Sequence, residues 1–305
     1  MQVHSARLGA TLYVPATRAD LYSIATGLKY PELRSVVFDL EDSVLDRDVG
    51  LAMANLGTVL RQLERVGETN GPMIFVRPRN ADLLARFMCL PAIGVVNGFI
   101  IPKATAEVMP SYICSLTNPR HLIMPTIETR EAFDPIEMRR LREQLIAIHD
   151  RVLAVRIGGN DLLQTLGCRR SVTRTAYEGP LGKIISNLVS TFVPWGFAMS
   201  APVLENFQNM DLLQAEIDQD IEHGLFTKTA IHPDQVGMIH RAYMVDAADY
   251  QNAVQIMDDE APAVFAVNGV MSEPATHRSW ARGILERAVC FGVRSAEVKQ
   301  LALIA

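Results

Sequence analysis

Eight short apolar runs recur along this chain, each separated from the next by a longer segment of helical period. That alternation most restricts the fold, because parallel strands cannot be joined by tight turns and need crossover helices between them. The runs are TLYVPA from Thr11, SVVFDL from Ser35, MIFVRP from Met73, GFIIP from Gly98, HLIMPTIE from His121, LAVRIGG from Leu153, AMSAPVLE from Ala198 and TKTAIHP from Thr227. Between them lie amphipathic helices such as LAMANLGTVLRQLERVG after the second run and LLQAEIDQDIEHG before the eighth, where Gly224 supplies a stop. Eight such repeats predict an α/β fold, a (β/α)₈ TIM barrel with a C-terminal helical extension. An open doubly wound sheet is the rival, but no G-x-G-x-x-G follows the first strand.

A barrel commonly uses about 250 residues, and this chain has 305. Residues 1–245 are therefore assigned to the barrel. Residues 246–305 are read as more helices, AADYQNAVQIMDDEAPAVFAV and PATHRSWARGILERAVCFGV, separated by a turn at Asn268-Gly269. Their expected role is to pack on a neighbouring subunit, a self-packed cap being the alternative. The net charge of -5 comes from 29 basic and 34 acidic residues spread along the chain, a pattern that argues against nucleic acid or an anionic membrane as partner. No apolar run reaches the roughly 18 residues of a membrane span, and the N-terminal MQVHSARLGATLYVPA lacks an apolar core behind a basic start. Cys89, Cys114, Cys168 and Cys290 form no C-x-x-C pair, which argues against structural zinc or a disulfide framework and for a reducing cytoplasm.

In such barrels the chemistry gathers at the C-terminal ends of the strands. The second run ends in Asp39, Glu41 and Asp42, the third in Arg77 and Arg79, the fourth in Lys103, the fifth in Glu128, and the sixth in Gly158, Gly159, Asn160 and Asp161. Acids converging on one mouth repel each other unless a cation offsets them, and without a His or Cys cluster a hard ion such as Mg²⁺ fits best. Taken singly, each residue would serve as well as a helix cap or a rim ion pair. The two glycines of the sixth turn let backbone approach a ligand, and the helix after them would aim free N–H groups at a carboxylate; a tight loop would use the same residues. His232 reads as packing or capping, Lys228 as pointing into the barrel core or its mouth, Trp195 and Trp280 as core or interface anchors, and the 13 methionines as packing.

The motifs LYVPATRADL, VVFDLEDSV, FVRPRN, IIPKA, PTIET, IGGNDLLQTLG and KTAIHPDQV, in this order, make the chain resemble the HpcH/HpaI aldolase and citrate-lyase β-subunit-like family over nearly its full length. The resemblance implies that Glu128 and Asp161 hold Mg²⁺ and that the backbone of Gly158, Gly159 and Asn160 binds a keto-acid carboxylate. It gives Arg77 contact with a substrate oxygen, Glu41 and Asp42 the orientation of metal waters and of that arginine, and Lys103 and Arg18 positions among the substrate-binding residues. It further implies a homo-oligomer, a trimer or hexamer, in which a C-terminal acid enters the neighbour's site. Here that acid is Glu273 of GVMSEPATHR, where relatives carry aspartate in Gly-x-Met-x-Asp-x-Pro and one more residue before the proline. The turn GGND replaces the commoner Gly-Ala-Glu-Asp, and SAPVLE also departs from the family pattern. The activity implied is Mg²⁺-dependent cleavage of a carbon–carbon bond in a hydroxy acid or a 3-hydroxyacyl-CoA thioester, with CoA as part of the substrate. A non-catalytic keto-acid-binding subunit or sensor, and an aldolase that dispenses with CoA, are the alternatives.

Overall fold

Val, Ile and Phe dominate the strands because a parallel strand in a barrel is buried on both faces, one inside the ring and one under the helices. In the computed structural model, which describes residues 4–67, 69–267 and 269–294, the strands are β1 (Ala10–Pro15), β2 (Ser35–Asp39), β3 (Met73–Arg77), β4 (Gly98–Ile101), β5 (Leu122–Ile127), β6 (Val155–Ile157), β7 (Met199–Ser200) and β8 (Lys228–Ala230). Neighbours pair in parallel in the order β7-β6-β5-β4-β3-β2-β1-β8. The ring closes where Ala201, just past β7, bridges Lys228 and donates its N–H to Thr227 O at 2.8 Å. The fold is the expected (β/α)₈ barrel. Only two residues of the AMSAPVLE run are strand, because Pro202 has no N–H to continue the ladder.

The crossovers are α1 (Leu21–Ala25), α2 (Val49–Val66), α3 (Ala81–Met88), α4 (Met109–Ser115), α5 (Pro135–Ile146), α6 (Gly159–Thr165) with α7 (Pro180–Phe192), and α8 (Met210–Glu222), while α9 (Asp234–Ala242) follows β8. Helix α8 starts where Asn209 Oδ1 accepts from Leu212 N at 3.0 Å. It ends before Gly224, whose φ of 75° is the left-handed turn that glycine adopts at no steric cost. Inside the ring Leu8, Val37, Phe75, Ile100, Met124, Leu153 and Ala154 form an apolar plug towards the N-terminal ends of the strands. The residues two further along β2, β3, β5 and β6, namely Asp39, Arg77, Thr126 and Arg156, face the same interior above that plug.

The chain divides into two compact units, Met1–Ile239 and His240–Ala305. In the second, α10 (Ala247–Met257) and α11 (Pro274–Phe291) pack around Val245, Ala253, Ile256, Ala281 and Ile284. The helix expected over 247–267 stops at Met257, since Asp258-Asp259-Glu260 and Pro262 do not continue a helix. Phe265–Val267 instead pairs antiparallel with Val270–Ser272. Of the expected turn, Asn268 lies outside the described residues. Among the described residues no helix is long and apolar enough to cross a membrane.

Candidate active site

Strand register places Asp39 beside Arg77 at the ends of β2 and β3, and the two side chains form a planar fork. Arg77 Nε donates to Asp39 Oδ1 at 2.6 Å and Nη2 to Oδ2 at 2.8 Å, with both residues buried. Burial works against the charge on Asp39, but the hydrogen bonds and charge of Arg77, with Ser43 Oγ donating at 2.6 Å, hold its carboxyl below the ordinary range. The third nitrogen, Nη1, lies 3.1 Å from Glu41 Oε2 and 3.1 Å from Asp42 Oδ2. Arg79 ties down the same loop from behind, donating to Leu40 O at 2.8 Å and also to Val44 O.

Glu128 follows β5 and is 4% exposed. Its Oε1 accepts from Lys103 N at 2.8 Å, and this contact places Lys103 in the left-handed region with φ 49°. On its other side the carboxylate lies against Gly158, where an added Cβ would stand 2.4 Å from Glu128 Cβ and 2.4 Å from Oε2. Burial, opposed by the Lys103 N–H and reinforced by the charge of Asp161, pushes the Glu128 carboxyl up to about 7. Burial and the charge of Asp42 likewise raise Asp161. Burial and neighbouring Asp42 bring Glu41 up to about 6, although Lys103 Nζ and Arg77 both pair with it.

A cavity of about 440 Å³ opens over these groups. It is lined by Asp42, Arg77, Glu128, Gly158, Gly159, Asn160 and Asp161 among the expected residues. Glu41 and Lys103 are not among the lining residues, but Glu41 pairs with Arg77 and Lys103 N donates to Glu128. Arg18 is outside it: the side chain is exposed and Asp20 holds its Nη2 at 2.6 Å. Glu273 belongs to the second unit, at the N-cap of α11, where Thr276 Oγ1 donates to its Oε2 at 3.2 Å. Among the described residues no group of three or more His, Cys, Asp or Glu is placed to hold a metal ion. An all-protein cage of the zinc kind is therefore a poor fit. Glu128 and Asp161, two carboxylates of one cavity whose proton affinities are both raised, suit Mg²⁺, which takes one or two carboxylates and completes its shell with water and substrate oxygens.

The family model described as the C-C bond lyase of the TIM-barrel fold matches residues 2–293. The chain belongs to this family. Its resemblance to the citrate-lyase β-subunit-like proteins is thus borne out, and with it the class of carbon–carbon lyases. A (3S)-malyl-CoA thioesterase of Cereibacter sphaeroides is 26% identical over 257 residues, 83% of this chain and 82% of the relative. Two solved structures share the fold: a citrate lyase from Burkholderia xenovorans (TM-score 0.72, 15% identity, 96% of this chain and 97% of the other) and CitE from Mycobacterium tuberculosis in complex with magnesium, acetoacetate and coenzyme A (TM-score 0.66, 21% identity, 93% and 99%).

In this lyase-family barrel several residues go beyond what the sequence signals. The sequence marks Asp39 as a strand-end acid but not as the anchor of Arg77. Tyr13 lies between two cations, with the guanidinium carbons of Arg77 and Arg156 at 5.3 and 5.4 Å from its ring centre. Arg156, Thr126 and Thr229 also line the cavity. A strand buried on both faces shows no alternation, so the sequence carries no signal for which of its polar residues face the cavity. Lys228 faces neither core nor mouth: it points outward to α8, where Glu216 Oε1 lies at 3.0 Å and Asp220 Oδ2 at 2.8 Å. His232 packs, as expected, stacked on Phe207 at 4.5 Å. Neither tryptophan is a core residue: both are exposed, and the Trp195 ring lies 3.7 Å from the Arg142 guanidinium.

Proposed function

We propose that this chain is a Mg²⁺-dependent lyase that cleaves a carbon–carbon bond of a hydroxy acid or 3-hydroxyacyl-CoA thioester by a retro-aldol or retro-Claisen step. The observation that carries the reading is the meeting of Glu128, Asp161 and Arg77 in one cavity. The magnesium and coenzyme A bound in M. tuberculosis CitE, and the malyl-CoA for which the C. sphaeroides relative is named, support the choice of ion and of thioester.

Glu128 and Asp161 are the residues that would hold Mg²⁺, and the ion supplies a Lewis acid towards the carboxylate and adjacent oxygen of the substrate. The backbone of Gly158, Gly159 and Asn160 orients that carboxylate. Asp39 fixes the Arg77 guanidinium, and its Nη1 edge, steered by Glu41 and Asp42, stabilises the charge that develops on a substrate oxygen as the bond breaks. Lys103 shields the Glu41–Asp42 pair, and Arg18 contacts the part of a substrate that extends onto the surface. The step needs a base for the hydroxyl proton and an acid for the enolate carbon. Glu273 of a neighbouring chain takes that role in a cytoplasmic homo-oligomer, trimer or hexamer.

Asp161→Asn and Glu128→Gln test the ligand pair. Calorimetry with Mg²⁺ and pyruvate should show binding lost in both variants while the melting temperature stays within a few degrees, since each change removes charge and leaves shape. Unchanged binding in both overturns the assignment. Wild-type protein should also release a keto acid from acyl-CoA thioesters or free hydroxy acids. Binding of pyruvate without any such release would identify a sensor or a non-catalytic subunit instead.

A further inference from the structure

Beneath the metal pair lies a cation without a counter-charge. Arg156 is 1% exposed and faces the barrel interior, yet its guanidinium meets only neutral groups: Thr229 Oγ1 at 2.6 Å, Thr11 Oγ1 at 3.4 Å and Met124 Sδ at 3.7 Å, beside the ring of Tyr13. Among the described residues no carboxylate forms an ion pair with it. Arg77 and Lys228, comparably buried, each meet two carboxylates or more. A guanidinium held out of water without an anion is costly, and a fold tolerates it where a ligand supplies the anion.

A second observation points the same way. Register sets Thr126 of β5 and Ser200 of β7 on either side of Arg156, and register neighbours in a parallel ladder face the same side. Thr126 Oγ1 and Ser200 Oγ are both buried and have no hydrogen-bond partner. An unpaired cation and two unsatisfied hydroxyls thus share one level of the barrel. Thr126 stands two residues before Glu128 and Arg156 two before Gly158, so this level is one pleat repeat, about 6–7 Å, below the metal pair. Thr126 and Arg156 line the same cavity as Glu128 and Asp161. Below them the interior is apolar.

We propose that Arg156, with the hydroxyls of Thr126 and Ser200, is a subsite for a second free carboxylate of the substrate, which makes a hydroxy acid with two free carboxylates the preferred class. The proposal rests on the reading of this cavity as the lyase site. One fixed positive charge with a planar donor edge matches one carboxylate, whereas a phosphate dianion would carry a second charge into the apolar plug. The separation of the levels suits acids whose carboxylates are two or three carbons apart.

Calorimetry on the full chain with saturating Mg²⁺, comparing lactate with malate, tests it, because the two acids differ by one carboxylate. The wild type should bind malate at least about tenfold more tightly, the value of a hydrogen bond to a charged group. Arg156→Met should abolish the difference while leaving affinity for lactate and for Mg²⁺ alone unchanged. Its melting temperature should not fall, since the charge removed has no partner. Thr126→Val, a milder change, should reduce the malate preference severalfold. Equal affinity for the two acids in the wild type, or a malate preference that survives Arg156→Met, overturns the subsite. The titration with Mg²⁺ alone reports separately on Glu128 and Asp161, so failure of the metal reading and failure of the Arg156 reading give different results.

Discussion

Glu128 shares its position with a glycine, and that pairing constrains the site more than any charge does. The carboxylate occupies the space a Gly158 side chain would need, with contacts of 2.4 Å to an added Cβ. Gly158→Ala should therefore turn the carboxylate aside and weaken Mg²⁺ binding by about tenfold or more, because metal ligands must be held to within a fraction of an ångström. Calorimetric titration with Mg²⁺ checks this, and circular dichroism should show the barrel intact. Wild-type affinity in the variant would mean that Glu128 is not a ligand. The opposite flank is built with equal care: Lys103 tolerates a left-handed backbone, at a cost on the order of 1–2 kcal/mol, to aim its N–H at the same carboxylate. Arg77 is likewise fixed by geometry, because only a guanidinium fills both oxygens of Asp39 while leaving a third nitrogen for the cavity.

Between elements, the join of β8 to α8 is electrostatic as well as apolar. Lys228 on the outer face of β8 is buried with Glu216 and Asp220 of α8, and Arg170 also pairs with Glu216. Lys228→Met breaks a buried pair and should cost about 3–5 kcal/mol, visible in denaturant or thermal unfolding. Burial works against both charges, but the two acids raise the Lys228 pKa above its ordinary value, and Lys228 with Arg170 lowers that of Glu216. The contribution of Lys228 is thus complete below the unfolded lysine value and lost as pH rises through the folded one, while that of Glu216 is complete above the ordinary carboxylate range and lost as pH falls. Burial holds Asp220 above the ordinary carboxylate range despite Lys228, and loss of the lysine raises it further, so the stability difference between wild type and Lys228→Met should grow as pH rises through the titration of the two acids, peak on their alkaline side and shrink above about pH 10; a difference without that rise would place the coupling elsewhere. The same strand explains what the sequence could and could not reveal. Apolar runs and strand-end acids mark eight strands and a polar mouth, and Asp42, Arg77, Glu128 and Asp161 do share a cavity. A strand buried on both faces shows no alternation, however, so nothing in TKTAIHP or LAVRIGG tells that Lys228 looks out while Arg156 looks in. Register alone decides that, and register is a long-range property.

At the scale of the whole molecule the question is whether one chain makes a complete site. The first unit supplies the proposed metal ligands, a fixed guanidinium and the proposed backbone cradle, but the acids that line its cavity are only the proposed ligands Glu128 and Asp161 and the arginine's partners Asp39 and Asp42. The proposed proton donor, Glu273, comes from the second unit, whose hairpin and α11 form around their own apolar core. If it acts in a neighbouring chain, two inactive variants should complement each other. Glu128→Gln retains a working Glu273 but has no metal site, and Glu273→Gln has the reverse defect. Co-expressed in equal amounts and assembled at random, they place an intact barrel beside an intact Glu273 in about a quarter of sites, so activity should recover to about that fraction of wild type. The recovered activity should also track assembly, falling when the mixture is diluted below the concentration at which the oligomer holds together. A co-expressed mixture as inactive as its parents would place Glu273 in its own chain's chemistry, whereas a fully active Glu273→Gln would place it outside the reaction. Mg²⁺ binding by Glu273→Gln separates those two cases from a general loss of structure, because it requires only the barrel and should remain at the wild-type value.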